Sequence, residues 1–115
     1  MKTTDLPSIL SCEPLYDGYA EIEIRGGYTS DLLSDVMSRA REGSVLITIQ
    51  AHKNTVAVAS TMGLAAVVLC NDRPVPEDMI VAAREEDIPL FRTSKTQFES
   101  SGLLYFALRA ETVER

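Results

Sequence analysis

"GSVLITIQAHKNTVAVASTMGLAAVVLC", Gly43 to Cys70, decides how this chain folds. Its two apolar runs, "SVLITI" and "AAVVLC", carry no polar interruption and are rich in β-branched residues, the pattern of strands buried on both faces. Between them Asn54 stands as a candidate N-cap and Gly63 as a candidate C-cap of a helix. Strand, helix and fully apolar strand in that order read as one right-handed crossover unit of a parallel sheet.

The alternation continues outward in both directions. Toward the C-terminus, "NDRPVPED" is a loop feeding a helix from about Glu77 to Asp87, "IPLFRT" is the next strand, and Thr93 or Ser94 can cap a last helix that carries Phe98, Gly102, Tyr105 and Phe106 on one side. Toward the N-terminus, Leu32, Leu33, Val36, Met37 and Ala40 recur at helical spacing, with Ser30 or Asp31 as cap and Gly43 just past the end. Before that helix, "AEIEIRGGY" alternates with Ile22 and Ile24 inward until Gly26 and Gly27 end it, and "LSCEPLYDGYAEIEI" reads as two short strands around Asp17 and Gly18. The expectation is an α/β fold: one domain over residues 1–115 with a mostly parallel or mixed central sheet and helices on both faces.

Composition narrows the function. A chain of 115 residues buries roughly two-thirds of its unfolded surface, enough for one core, and 45% hydrophobic with 24% charged residues excludes a disordered chain. Eleven Lys and Arg against 17 Asp and Glu give a net charge of -6, with no basic stripe for nucleic acid. "MKTTDLPSIL" lacks the marks of a secretory signal and no apolar run approaches the roughly 20 residues of a membrane span, so a cytoplasmic protein with no membrane partner is expected. Cys12 and Cys70 make no metal or redox motif and read as reduced core residues.

In such a sheet, ligands gather at the carboxyl ends of the strands, where loops run into helix N-termini that favour anions. Four loops qualify: "GGYTSD", "QAHKN", "NDRP" and "TSKT". They offer Gly26, Gly27, Tyr28, Thr29, Ser30, Asp31, Gln50, His52, Lys53, Asn54, Asn71 and Arg73, joined by Asp72, Thr93 and Ser94, a polar set suited to a small phosphorylated ligand. Each reads two ways, since Ser30, Asn54 and Thr93 serve equally as helix caps and the glycines equally as turns. His52 is the one side chain that titrates near neutrality, but neither cysteine has a partner in sequence, so no nucleophile–base pair and no catalytic residue is expected. One isolated histidine also fails the spacing of a metal site. None of Gly18, Gly26, Gly27, Gly43, Gly63 and Gly102 precedes a lysine, so there is no phosphate-binding GxxxxGK[ST] loop, and no GxGxxG occurs. The last helix, with "GLLYFAL", is apolar around most of its circumference. That is either a second packing surface, most simply a homodimer, or a helix set deep against the sheet and the N-terminal segment.

The order of "GGYTSDLLSDVM" and "ITIQAHKN", within a likeness that runs over nearly the whole chain, resembles stand-alone DRTGG-domain proteins, which share the fold of the N-terminal domain of HPr kinase/phosphorylase. The resemblance implies a three-layer α/β/α unit, often dimeric, with a regulatory, ligand-sensing role. Free-standing relatives near iron-only hydrogenase and electron-transfer genes imply a redox-enzyme or signalling-protein partner. The letters Asp-Arg-Thr-Gly-Gly do not occur as a run here; Gln50 to Asn54 stand where such proteins often read Gly-Asp-Arg. The expectation is therefore a non-catalytic regulatory domain that binds a phosphorylated ligand, an adenine nucleotide first, as a homodimer and with no resident cofactor. The alternative is a ligand-free adaptor that docks a redox enzyme through its last helix.

Overall fold

In the computed structural model, residues 1–114 are described, with side chains through Thr112. A short 3-10 turn, Thr3–Asp5, runs into α1 (Leu6–Leu10), followed by β1 (Glu13–Pro14), β2 (Gly26–Thr29), α2 (Leu33–Arg39), β3 (Ser44–Thr48), α3 (Lys53–Met62), β4 (Ala66–Leu69), α4 (Glu77–Glu85), β5 (Leu90–Arg92) and α5 (Gln97–Glu114). The sheet order is β1-β5-β4-β3-β2, with β2 to β5 parallel and β1 antiparallel on the far edge.

Strands β2 to β5 lie side by side in chain order, so successive right-handed crossovers step in one direction and put their helices on one face. The core divides accordingly. Val36 of α2, Val56 and Ala59 of α3 and Met79 and Ala83 of α4 pack on Leu46, Val67, Leu69 and Leu90. On the other face Leu6 and Leu10 of α1 and Leu104 of α5 meet Val45, Ile47, Val68 and Phe91. Alternate residues of β3 and β4 thus feed opposite cores, which is why "SVLITI" and "AAVVLC" are apolar apart from Ser44 and Thr48. The three-layer α/β/α expectation is the fold observed.

The N-terminal part departs from the sequence reading. Ile22 and Ile24 lie outside any strand; Glu23 makes an isolated bridge with Lys2, and the Ile24 amide donates to the Met1 carbonyl at 2.8 Å. The strand is Gly26–Thr29 instead, paired parallel with β3 from Gly26↔Ser44 to Thr29↔Ile47. Glycine is depleted in strands because it packs nothing, but here its bareness is required. A Cβ on Gly27 would stand 2.8 Å from Leu104 Cδ2, so α5 lies on β2 only because that side chain is missing. Gly26 and Gly27 therefore begin a strand and do not end one.

Caps moved as well. His52, not Asn54, caps α3: its Nδ1 accepts the Asn54 amide at 3.0 Å, while Gly63 closes the helix as expected, at φ 66°. Thr96, not Thr93 or Ser94, opens α5 in a reciprocal box with Glu99: the Glu99 amide donates to Thr96 Oγ1 at 3.1 Å and the Thr96 amide donates to Glu99 Oε1 at 3.0 Å.

Candidate functional site

Because β2 to β5 are parallel, the segments after Thr29, Thr48, Leu69 and Arg92 all emerge at one end of the sheet. The sequence-nominated residues of the last three loops do share a rim. What they do there differs from residue to residue.

Asp31 is a fastener. Its Oδ1 accepts from Thr48 Oγ1, the Ile49 amide and Gln97 Nε2, each at 2.9 Å, and its carbonyl accepts Gln50 Nε2 at 2.8 Å. One side chain thereby ties the β2–α2 connection to the end of β3 and to the first turn of α5. Gln50 is spent in the same network, and Ser30 Oγ accepts the Leu32 amide at 3.2 Å in a local turn. The β4–α4 loop is pinned by its backbone, the Asn71 amide to the Lys95 carbonyl and the Asp72 amide to the Thr93 carbonyl, both at 2.9 Å. Asn71 and Asp72 hold left-handed φ of 62° and 51°, a conformation Asn and Asp tolerate better than most residues. Lys53, Asn54 and Arg73 are exposed, and neither cation forms an ion pair among the described residues.

The first nominated loop is divided by the strand it proved to be. Thr29 faces α5, with its hydroxyl 2.6 Å from Ser101 Oγ. Tyr28 faces α2, donating to Asp35 Oδ2 at 2.7 Å. That bond holds the Tyr28 phenol above its ordinary pKa, and the same bond, with help from Ser30 and Arg39, holds the Asp35 carboxyl below its own. Gly26, Gly27 and Tyr28 line a pocket of about 390 Å³ toward the amino end of β2, away from the rim, together with Arg25, Arg39 and Arg41. The sequence reading missed these arginines; the available signal was three of the chain's 11 cations beside "GGY" and in "RAREG".

Neither thiol is activated. Burial pushes Cys12 up to about 12 and raises Cys70, whose Sγ lies 3.6 Å from Ser100 Oγ inside the α5 core. Thiolate chemistry at neutral pH therefore has no group to carry it here. His52 is engaged as the cap of α3, its Nδ1 accepting the Asn54 amide. No helix is long and apolar enough to cross a membrane among the described residues.

α5 buries Leu104 and Ser100 but leaves Phe98 88%, Tyr105 66% and Phe106 76% exposed. A second pocket of about 380 Å³ runs between α5 and β2, lined by Ile47, Phe98, Leu104, Tyr105 and Leu108 among others.

No protein-family profile matches the sequence, and no curated protein does. Among solved structures the chain is similar to the CBS and DRTGG domains of the regulatory region of Clostridium perfringens pyrophosphatase, complexed with the activator diadenosine tetraphosphate. The TM-score is 0.72 at 13% identity over 89% of this chain, which spans 45% of that one. At that identity the two share a fold, and the α/β class is thereby corroborated.

Proposed function

We propose that the chain is a non-catalytic regulatory domain that senses a small phosphorylated ligand, with adenine nucleotides as the first class to test, and that it works as a homodimer. The observation that carries the reading is the carboxyl-end rim, where Lys53 and Arg73 stand without ion-pair partners among the described residues beside the start of α3 in a chain of net charge -6. Cations at strand ends beside a helix N-terminus favour an anion. The likeness to a regulatory region crystallised with an adenine-nucleotide activator is consistent with that choice of ligand. The buried, protonated thiols speak against cysteine catalysis.

The rim residues that remain free to contact a ligand are Lys53, Asn54, Asn71 and Arg73; Asp31, Gln50, Ser30 and His52 hold the rim in shape. A thermal-unfolding panel of adenine nucleotides, S-adenosylmethionine, nicotinamide dinucleotides and cyclic dinucleotides tests it. A ligand at about 100 times its Kd adds about 2.7 kcal/mol, which raises the melting temperature of a domain this size on the order of 10 °C. Loss of the shift in Lys53→Ser/Arg73→Ser locates the ligand; silence across the panel removes the sensor reading.

The dimer rests on α5. Phe98 and Phe106 lie four residues to either side of Gly102, and a Cβ on Gly102 would meet nothing within 4 Å. Two antiparallel copies crossing at that glycine would set Phe98 of one against Phe106 of the other. Light scattering of wild type and Phe106→Asp distinguishes the cases. A monomeric wild type whose α5 retains a redox enzyme would turn the reading to the adaptor.

A further inference from the structure

The arginine pocket at the other end of β2 stands apart from the rim; of its lining the sequence reading nominated Gly26, Gly27 and Tyr28 and none of the arginines. Arg25 precedes β2, Arg39 ends α2 and Arg41 lies in the turn into β3, so three segments of chain each contribute an arginine to the lining of one concavity of about 390 Å³. None of the three makes an ion pair among the described residues. Glu42 in the lining and Asp35 beside Arg39 offset only part of this positive charge, and an anion held among the arginines would offset the rest.

The pocket is built as well as charged. Gly43 turns the chain at φ 83°, and the space where its Cβ would sit is filled by the Arg25 stem, 2.9 Å from that point at Cδ. The Arg25 amide donates to the Gly43 carbonyl at 2.9 Å, so strand start and turn are tied together beneath the arginine. The Tyr28 ring is fixed by its bond to Asp35. Glu42 is the one carboxylate in the lining, and its stem packs against Gly63, where a Cβ would come within 3.0 Å of its Cγ. Three guanidiniums against one carboxylate leave the pocket an excess of two positive charges.

From this arrangement we infer that the Arg25–Arg39–Arg41 pocket is a binding site for a diphosphate group, either free or carried by a nucleotide whose base lies against Tyr28. A guanidinium grips two oxygens at once, and three of them spread around one concavity suit the terminal oxygens that a diphosphate distributes over two phosphorus atoms. The flat face of Tyr28 suits a base, and the glycine backbone of the edge strand beside it is open to close approach. The site does not depend on the carboxyl-end rim.

Calorimetric titration at low salt with pyrophosphate and with ADP tests it, using wild type, Arg25→Ser/Arg41→Ser, Lys53→Ser/Arg73→Ser and Tyr28→Leu, each checked for folding by circular dichroism. The expected result is that Arg25→Ser/Arg41→Ser weakens pyrophosphate by about tenfold or more and removes the ADP binding that the arginine pocket contributes, while Lys53→Ser/Arg73→Ser, which alters only the rim, leaves pyrophosphate binding at the arginine pocket in place. If Tyr28→Leu weakens ADP and spares pyrophosphate, the natural ligand is a nucleotide; if it spares both, the diphosphate alone is recognised. In wild type, the arginine Nε–H resonances of Arg25, Arg39 and Arg41 should move on adding pyrophosphate, a readout that needs no variant to fold. Unmoved resonances at millimolar pyrophosphate, or undiminished binding in Arg25→Ser/Arg41→Ser, overturn the inference. Loss of binding in Lys53→Ser/Arg73→Ser alone overturns it too and leaves the rim as the site.

Discussion

Replacing Gly27 by Ala tests the contact that sets α5 on the sheet. The new Cβ would fall 2.8 Å from Leu104 Cδ2, and Leu104 is 2% exposed, so it cannot swing into solvent without losing its own burial. Overpacking of this kind costs about 1–3 kcal/mol, and since the clash is with the tip of a side chain the lower half, about 1–2 kcal/mol, applies. Gly26→Ala is the control. Its Cβ would meet Ser44 Oγ at 3.6 Å, an ordinary contact, so it should be neutral or stabilise by about 0.5 kcal/mol through the unfolded chain. Urea unfolding of Gly26→Ala, Gly27→Ala, Leu104→Ala and the Gly27→Ala/Leu104→Ala pair closes a cycle. Leu104→Ala alone should cost about 2–5 kcal/mol for its cavity, and in that background Gly27→Ala should cost nothing, a coupling of about 1–2 kcal/mol. If the two glycines respond alike, or if the effects of Gly27→Ala and Leu104→Ala simply add, the account of why β2 begins with glycine is wrong.

Asp31→Ala removes a carboxylate oxygen with three donors, and at about 1.5 kcal/mol or more for each bond to a charged group, partly recovered by water, it should destabilise by about 3 kcal/mol in urea; a change under about 0.5 kcal/mol would show that the rim is not held there. Cys12 and Cys70 should resist a thiol reagent at pH 8 in the folded protein and react on unfolding, because burial raises both pKa values; prompt labelling of either would contradict their burial. Asp35 has a lowered folded pKa, so its contribution is present above the unfolded carboxyl pKa and is lost as pH falls through the folded value. Tyr28→Phe should therefore flatten the acid limb of a melting-temperature profile, and an unchanged limb would deny the Tyr28–Asp35 bond that role.

The middle of the fold was legible because its strands are buried on both faces and say so in every residue: "SVLITI" and "AAVVLC" need no context to be read. Gly63 was legible for a similar reason, since a left-handed residue after a helix asks for glycine locally. What was hidden depends on partners far along the chain. Gly26 and Gly27 look like a turn until Leu104, some 77 residues later, explains the missing side chain. Asp31 looks like a helix cap or a ligand contact until Thr48 and Gln97 arrive to bind it. His52 drew attention as a titrating group, and its work as a cap is a matter of which nitrogen meets the Asn54 amide. The pocket arginines come from a strand start, a helix end and a turn, and no spacing rule joins three such places.

The division of the core between two faces also has a meaning for synthesis on the ribosome. Strands are laid down in the order in which they sit in the sheet, and α2, α3 and α4 cover their face as each unit is completed. The opposite face waits. When β5 has emerged, Val45, Ile47, Val68 and Phe91 have only α1 and the N-terminal segment over them, and Leu104 is still inside the exit tunnel. Until α5 docks, that face presents a bare apolar surface, the kind that holding chaperones grip.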